Sequence, residues 1–193
     1  EFDEDLNNVF GDFKTAGVTN LVLDLRYNPG GSVNSARLLS SMIYGTNKED
    51  LFLRQRWNAK QQARLSESQL TDYFADQTSD GTPLNTLNLT KVYILATRNS
   101  ASASELVLNG LAPYVEVVHI GETTRGKNEF SITMVDDREN TYVYNREREN
   151  KINPDNQWAI QPLVGRNENA EGFFDYTSGL IPDIVLQEDL ANL

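Results

Sequence analysis

The chain of 193 residues is long enough for one domain with a full hydrophobic core and too short for two comfortable ones. A formal net charge of −11, with no basic cluster to offset it, argues against nucleic acid as a partner. The lack of cysteine excludes disulfides and thiolate chemistry, and the single histidine, His119, excludes a metal site built on several imidazoles. No apolar run approaches the roughly 20 residues of a membrane span, so no segment is predicted to cross a bilayer.

The first 45 residues alternate between helix and strand patterns. Apolar residues at helical spacing over residues 2–13 predict an amphipathic helix, with Gly17 placed to end it. The β-branched run VTNLVLDLR (18–26) predicts a strand buried on both faces. A glycine turn, YNPGGS, follows, and residues 36–43 then predict a second helix closed by Gly45.

Two further strands and a helix are predicted beyond residue 90. KVYILATRN (91–99) reads as a buried strand, SASASELVLNGLAPY (100–114) as a helix, and VEVVHIGE (115–122) as a third strand. Strands that alternate with helices predict a parallel sheet joined by right-handed crossovers.

The remaining segments are less regular. Within the polar stretch 46–90, SESQLTDYFADQ (66–77) has a helical pattern and SDGTPLNTLN (79–88) predicts a loop. Beyond Lys127, SITMV and TYVYN flank DDREN as the two strands of a β-hairpin would.

The stretch GETTRGKN (121–128) nearly matches a phosphate-binding loop. Gly121, Gly126 and Lys127 satisfy G-x-x-x-x-G-K, but Asn128 replaces the Ser or Thr whose hydroxyl holds magnesium. A phosphate loop also needs a helix after it, whereas EFSITMV predicts a strand. Nucleotide binding is therefore a remote alternative, and from this motif alone Lys127 reads as an exposed turn residue.

A serine cluster, SASASE, stands where the second crossover helix begins. A helix that begins at the C-terminal edge of a parallel sheet points its N–H groups into the ligand-binding crevice, where they can hold the oxyanion formed by a serine nucleophile. Gly30 and Gly31, at the end of a neighbouring strand, can add a donor because no Cβ blocks a substrate carbonyl. The spacing of Ser102 and Glu105 is equally that of a capping box, and local sequence favours capping over catalysis.

A serine nucleophile needs a base, and the chain offers two candidates. His119 lies inside an apolar run, which favours a packed side chain. Lys127 can serve if it lies in a water-poor pocket, because desolvation disfavours the ammonium and the neutral amine can take a hydroxyl proton.

Three motifs together resemble a known family. LVLDLRYNPGGS, ATRNSASASE and HIGETTRGKN, in this order, resemble the catalytic core of the C-terminal processing peptidases, or tail-specific proteases, of serine peptidase family S41. The 25 residues from Ser102 to Lys127 match the serine-to-lysine spacing of bacterial members. The resemblance implies an α/β fold with a ClpP/crotonase-like core of parallel strands and crossover helices, plus a C-terminal β-hairpin region.

The resemblance also implies a reaction and the residues that carry it. Ser102 would be the nucleophile and Lys127 the general base of a Ser-Lys dyad that hydrolyses peptide bonds through an acyl-enzyme. The N–H of Ala103, with that of Gly30 or Gly31, would form the oxyanion hole. The substrate would be a peptide or an unfolded protein, and the reaction would need no metal and no cofactor.

Two positions depart from the family pattern. The acidic residue that members often carry late in the serine helix is replaced by the stretch Leu111-Ala112-Pro113, and a Gln four residues beyond the lysine is replaced by Ser131. Ser131 could orient the lysine by hydrogen bonding. Both departures leave open what positions Lys127, and they motivate the alternative of a catalytically silent peptide-binding module on the same fold.

The resemblance covers most of the chain. It implies a single S41-type catalytic domain over residues 1–193, truncated at its N-terminus and without the PDZ domain that members carry. Because the first residue is Glu, we expect any targeting signal to lie outside the sequence. The family implies a bacterial cell-envelope protein, periplasmic or lipid-anchored outside the cytoplasm.

Overall fold

The computed structural model describes residues 2–45, 48–189 and 191. The helices are α1 (Asp3–Thr15), α2 (Val33–Tyr44), α3 (Ala59–Gln62), α4 (Glu67–Leu70) and α5 (Ala103–Leu111), with short 3-10 helices at Arg138–Asn140 and Arg146–Lys151. The strands are β1 (Val22–Asp24), β2 (Leu51–Trp57), β3 (Thr71–Tyr73), β4 (Lys91–Ala96), β5 (Glu116–Gly121), β6 (Glu129–Ser131), β7 (Leu163–Glu168) and β8 (Ile184–Val185). No helix in these ranges is long and apolar enough to cross a membrane.

The first sheet has the strand order β1-β4-β5-β8, and all of its pairings are parallel. This confirms the parallel sheet that the alternating pattern predicts, with α5 as the crossover from β4 to β5. Alternate residues of β4, namely Val92, Ile94 and Ala96, are fully buried, as expected when one face of a strand packs against helices. Helices α2 and α5 therefore pack against this face of the sheet.

Strand β1 is shorter and more exposed than expected. The prediction of a strand buried on both faces over residues 18–26 is wrong, because the strand covers only Val22–Asp24 and the Val22 side chain is 61% exposed. β1 lies at an edge and pairs only with β4 among the described strands. A continuous apolar run cannot distinguish an edge strand from a central one, since both need β-branched residues.

Glycines end the first two helices as the sequence predicts. Gly17 follows α1 with φ +68°, and its N–H donates to the carbonyl of Lys14. At the start of α2, Oγ of Ser32 accepts from the N–H of Ser35 at 3.1 Å, and Gly45 closes the helix with φ +76°. Both are conformations that a side chain would oppose.

A second, antiparallel sheet has the order β3-β2-β7-β6. Its strands β2, β3 and β7 come from polar, mixed segments in which no strand was predicted. The helix suggested by SESQLTDYFADQ is wrong beyond Leu70, because the chain straightens there and Thr71–Tyr73 pairs with β2. Pairing with neighbouring strands decides the conformation of these segments, and local sequence does not encode that pairing.

The predicted loop and hairpin are both present. Residues 79–88 form no regular element. Farther along, the N–H of Val135 donates to the carbonyl of Tyr142 at 2.8 Å and that of Tyr144 to Thr133 at 2.9 Å, so the two arms pair antiparallel around DDREN. The pairing is confined to an isolated bridge at Met134 and does not extend into long strands.

Helix α5 is buried along its whole length between the two sheets. Gly110 makes this possible on the side of β2, because a Cβ there would lie 2.4 Å from the ring of Phe52. On the other side, Leu106 and Leu111 pack into the shared core with Met42 of α2. Ser102, the residue directly before α5, is therefore attached to a helix that packing holds in place on both sides.

Candidate active site

Ser102 directly precedes α5 in a strained backbone conformation. Its φ of +56° and ψ of −115° lie where side chains other than glycine are rarely found. An ordinary N-cap residue is extended, as Ser32 is before α2 with φ −70° and ψ 125°. A sharp, strained strand-to-helix turn is the way α/β hydrolases expose a nucleophilic serine.

Hydrogen bonding separates the three serines of the cluster. Ser100 is fully buried and its Oγ donates to the carbonyl of Leu25 at 2.7 Å. Ser104 donates through Oγ to the carbonyl of Asn28 at 2.9 Å. The hydroxyl of Ser102 donates to no described residue and is partly exposed. Of the three, only Ser102 has a hydroxyl free to react.

Glu105 connects Ser102 to the segment that carries the lysine. The Glu105 half of the predicted capping box is present, with the N–H of Ser102 donating to Oε2 of Glu105 at 2.9 Å, whereas the Ser102 hydroxyl makes no capping hydrogen bond. The same Oε2 accepts from the N–H of Lys127 at 2.8 Å, while Oε1 accepts from the N–H of Gly126 and from Oγ1 of Thr124, both at 2.6 Å. The backbone nitrogens of Ser102 and Lys127 are thus no farther apart than the sum of two hydrogen-bond lengths.

The burial of Glu105 makes these bonds necessary. Its side chain is 0% exposed, and a buried carboxylate is tolerated only when its oxygens are well paired. The spacing of a capping box identifies one of its four donors. The other three lie 19 to 22 residues farther along the chain, so sequence reasoning missed them.

Residues 122–127, the lysine loop, are locked to a second glycine turn. A Cβ on Gly126 would lie 2.3 Å from the carbonyl oxygen of Thr177, and one on Gly179 would lie 2.2 Å from that of Thr124. Both glycines have positive φ, so each close approach needs a residue without a side chain. The loop leads into strand β6, which confirms that no helix follows Lys127. The phosphate-loop motif therefore lacks the helix N-terminus whose N–H groups would bind a phosphate.

The side chain of Lys127 is exposed. Across residues 2–45, 48–189 and 191, its Nζ has no hydrogen-bond or ion-pair partner, and neither Ser102 nor Ser131 contacts it in this way. The expectation of a water-poor pocket around Lys127 is therefore not met in this structure. Sequence spacing places a residue on a loop but does not set how deeply the loop is covered.

The glycine turn after β1 lies against the start of α5. The carbonyl of Asn28 accepts from the N–H of Ala101 at 3.2 Å, and a Cβ on Gly30 would lie 2.7 Å from the nitrogen of Ala103. The N–H of Gly30 donates to Oδ1 of Asn28 at 3.0 Å. The N–H groups of Gly31 and Ala103 have no acceptor in the described part of the chain, so both are free to donate a hydrogen bond to a ligand.

A small apolar cavity of about 160 Å³ adjoins these two donors. Gly31 and Ala103 line it together with Leu25, Leu39 and Val107. Its volume suits a small apolar group.

His119 takes no part in this arrangement. It is 3% exposed in β5, as predicted for a packed side chain, and its burial lowers its pKa. The described residues also include no group of three or more His, Asp or Glu side chains that could hold a metal ion.

A parallel sheet with a strained serine at the start of a crossover helix is an arrangement that serine hydrolases use. Residues 1–169 match Peptidase family S41, and the chain belongs to that family. No match was found among the curated proteins.

Solved structures share the fold. An S41 protease from Bacteroides fragilis is 31% identical with a TM-score of 0.76, over 97% of this chain and 43% of that one. The photosystem II D1 C-terminal processing protease is 20% identical with a TM-score of 0.63, over 96% of this chain and 39% of that one. Mature CPAF bound to lactacystin is 15% identical with a TM-score of 0.60, over 95% and 42% of the two chains. The chain spans less than half the length of these relatives.

Proposed function

We propose that residues 1–193 are a single catalytic domain of a serine endopeptidase that uses Ser102 as nucleophile and Lys127 as general base. One observation carries the proposal: Ser102 has a strained backbone and a free hydroxyl, and a buried carboxylate ties its backbone to that of Lys127. The strain is a cost that capping alone does not require. Family membership supports the same reaction class.

The proposed reaction has two halves. Neutral Nζ of Lys127 takes the Ser102 proton while Oγ attacks the scissile carbonyl, and the N–H groups of Ala103 and Gly31 hold the oxyanion. The tetrahedral intermediate collapses, the C–N bond breaks, and the ammonium of Lys127 protonates the leaving amine. Water then attacks the acyl-enzyme with Lys127 again as the base, which releases a carboxylic acid and restores Ser102. No metal or cofactor enters either half.

The exposed position of Lys127 gives the substrate a part in the mechanism. A peptide bound along the oxyanion donors would cover the amine and remove water from it, and this favours the neutral form. Catalytic hydrogen bonds are often unformed without substrate and tighten in the complex. Ser131, on β6 beyond the lysine loop, is the proposed orienting group once the amine turns inward.

The proposal also covers the class of substrate and the cellular location. An open site with a small apolar cavity suits an unstructured peptide or C-terminal tail with a small apolar residue before the scissile bond. A lipoprotein from Streptococcus agalactiae, 14% identical with a TM-score of 0.56 over 95% of this chain, shares the fold. We infer a cell-envelope protein, periplasmic or lipid-anchored outside the cytoplasm.

The direct test is cleavage of an unstructured fluorogenic peptide that carries small apolar residues. Ser102→Ala and Lys127→Ala should each lower kcat/KM by about 10³-fold or more, and the double variant should be little worse because the two groups act as a unit. Ser79→Ala and Lys60→Ala, at exposed sites, are the matched controls.

Activity should rise with pH, because only the neutral amine accepts a proton, and should be insensitive to chelators. Equal activity of Lys127→Ala and the parent chain would refute the dyad.

A catalytically silent peptide-binding module is the second candidate. The observation that favours it is the exposed, unpaired Nζ of Lys127 in the described structure. Fluorescence anisotropy with the same peptide separates the two: saturable binding without any product over hours supports the module, whereas turnover that depends on Ser102 supports the peptidase.

A further inference from the structure

A second cavity, of about 230 Å³, lies between the C-terminal half of α5 and strand β5. It is lined by Leu108 of α5, by Ala112 directly after that helix and by His119 of β5. Phe173 and Ile181, from the C-terminal part of the chain, also line it. We call it the His119 pocket. None of the proposed catalytic or oxyanion residues lines it, so it is separate from the candidate active site.

His119 is an unsatisfied polar side chain in this pocket. The residue is 3% exposed, and neither Nδ1 nor Nε2 makes a hydrogen bond with any group in the described ranges. Backbone groups of Ile181, Ala96 and Glu122 lie near the ring, but none of them meets the geometry of a hydrogen bond to it. A buried polar group without a partner is costly and uncommon, so it points to a partner that the chain alone does not supply.

The other buried polar side chains of the pocket are satisfied. Nδ2 of Asn169 donates to Oδ1 of Asn109 at 3.0 Å, and Nδ2 of Asn109 donates to the carbonyl of Phe173 at 3.1 Å. Oδ1 of Asn169 accepts from the N–H groups of Glu171 and Phe173. Of the buried polar side chains that line the pocket, the imidazole is therefore the one left without a hydrogen-bond partner.

The chemistry of the pocket limits the ligand. Burial lowers the pKa of His119, so at neutral pH the ring is uncharged and offers one N–H donor and one acceptor nitrogen. The carboxylate of Glu171 at the rim, that of Asp183 on the backbone of His119 and the net charge of −11 all disfavour an anion. The cavity is smaller than the roughly 300 Å³ at which pockets for drug-sized ligands begin, so a single ring or a short branched chain fits.

We propose that the His119 pocket is a binding site for a small uncharged molecule with an apolar body and one hydroxyl group that hydrogen-bonds the imidazole. The apolar body contacts Leu108, Phe173 and Ile181, and the hydroxyl satisfies a ring nitrogen. This site does not depend on the peptidase activity of Ser102.

Phenol is the probe for this site, and the histidine itself is the reporter. His119 is the only histidine of the chain, so histidine-labelled protein gives one imidazole signal by NMR. Phenol should shift this signal saturably. Toluene, which lacks the hydroxyl, should bind about tenfold more weakly, and benzoate should not compete.

Two variants make the test decisive. Ala112→Trp places an indole over the exposed mouth and should abolish the phenol-induced shift, whereas Ala63→Trp, at an exposed site outside the pocket, should leave it unchanged. His119→Leu removes no hydrogen bond, so the chain should still fold. In that variant phenol and toluene should raise the Tm equally. A shift that does not saturate, or an equal shift in Ala112→Trp, overturns the proposal.

Discussion

Oε2 of Glu105 accepts a hydrogen bond from the backbone N–H of Lys127 at 2.8 Å, and the carboxylate that makes it is fully buried. The same oxygen holds the N–H of Ser102. The two segments of the proposed dyad therefore meet at one atom, although their side chains do not yet touch. In the proposed reaction Glu105 is a positioning residue, because its carboxylate binds backbone N–H groups and not substrate.

Glu105→Gln should damage both stability and catalysis. The amide keeps one acceptor oxygen but sets an NH₂ against two N–H donors, so about 3 kcal/mol or more of the free energy of unfolding should be lost. We expect kcat to fall with little change in KM, because the lysine loop shifts while the peptide-binding surface stays. Urea denaturation and steady-state kinetics measure the two effects.

Glu147→Gln is the matched control, since Glu147 is exposed. It should change neither quantity. A Glu105→Gln variant with parental stability and parental kcat would contradict the role assigned to this carboxylate.

Gly30→Ala should cost more than an ordinary substitution at a positive-φ glycine. A Cβ at residue 30 would lie 2.5 Å from the carbonyl oxygen of Ala101, whereas at Gly81, with nearly the same φ, it would meet nothing within 4 Å. Gly81→Ala should therefore lower the free energy of unfolding by about 1 kcal/mol from backbone strain alone. Gly30→Ala should lose a further 1–3 kcal/mol or so from overpacking, together with peptide cleavage.

Equal losses of stability in the two alanine variants would show that the turn after β1 does not pack against α5 as described. Thermal unfolding of both variants with the same buffer and scan rate gives the comparison.

His119 should make the chain less stable in acid. Burial lowers the pKa of His119 in the folded chain below its ordinary value of 6.5, with the backbone of Ile181 and then the carboxylate of Asp183 opposing the shift. The unfolded chain then takes up the proton first, so the contribution is present above pH 6.5 and is lost as pH falls toward the folded pKa. The slope cannot exceed about 1.4 kcal/mol per pH unit for one proton.

The comparison with His119→Gln isolates this effect from the carboxylates. The free energy of unfolding of the parent chain should fall more steeply between pH 7 and 5 than that of the variant, by urea denaturation at each pH. Parallel curves would mean that the imidazole titrates normally in the folded chain.

The sequence predicted the features that local chemistry decides. The helices over residues 3–15, 33–44 and 103–111 have apolar spacing and terminal signals of their own, and strands 91–96 and 116–121 have short apolar runs between turns. These elements suffice to place the serine at a helix start on the sheet edge. They also carry the three motifs of the family.

The sequence predicted neither the antiparallel sheet nor how exposed the candidate site is. Strands such as Leu163–Glu168 are defined by partners more than 30 residues away, which no local pattern encodes. The three bonds from the loop to Glu105 and the exposure of Lys127 depend in the same way on how the loop from 122 to 127 folds back. Tertiary contacts, not residue preferences, decide both.

The central claim is that Ser102 is a nucleophile whose reactivity depends on Lys127. Intact-protein and peptide mass spectrometry after treatment with a fluorophosphonate measures this directly. We predict one adduct per chain, located at Ser102, formed faster as pH rises and at least about tenfold more slowly in Lys127→Ala. An adduct on another residue, or labelling of Ser102 at the same rate in Lys127→Ala, would contradict the account.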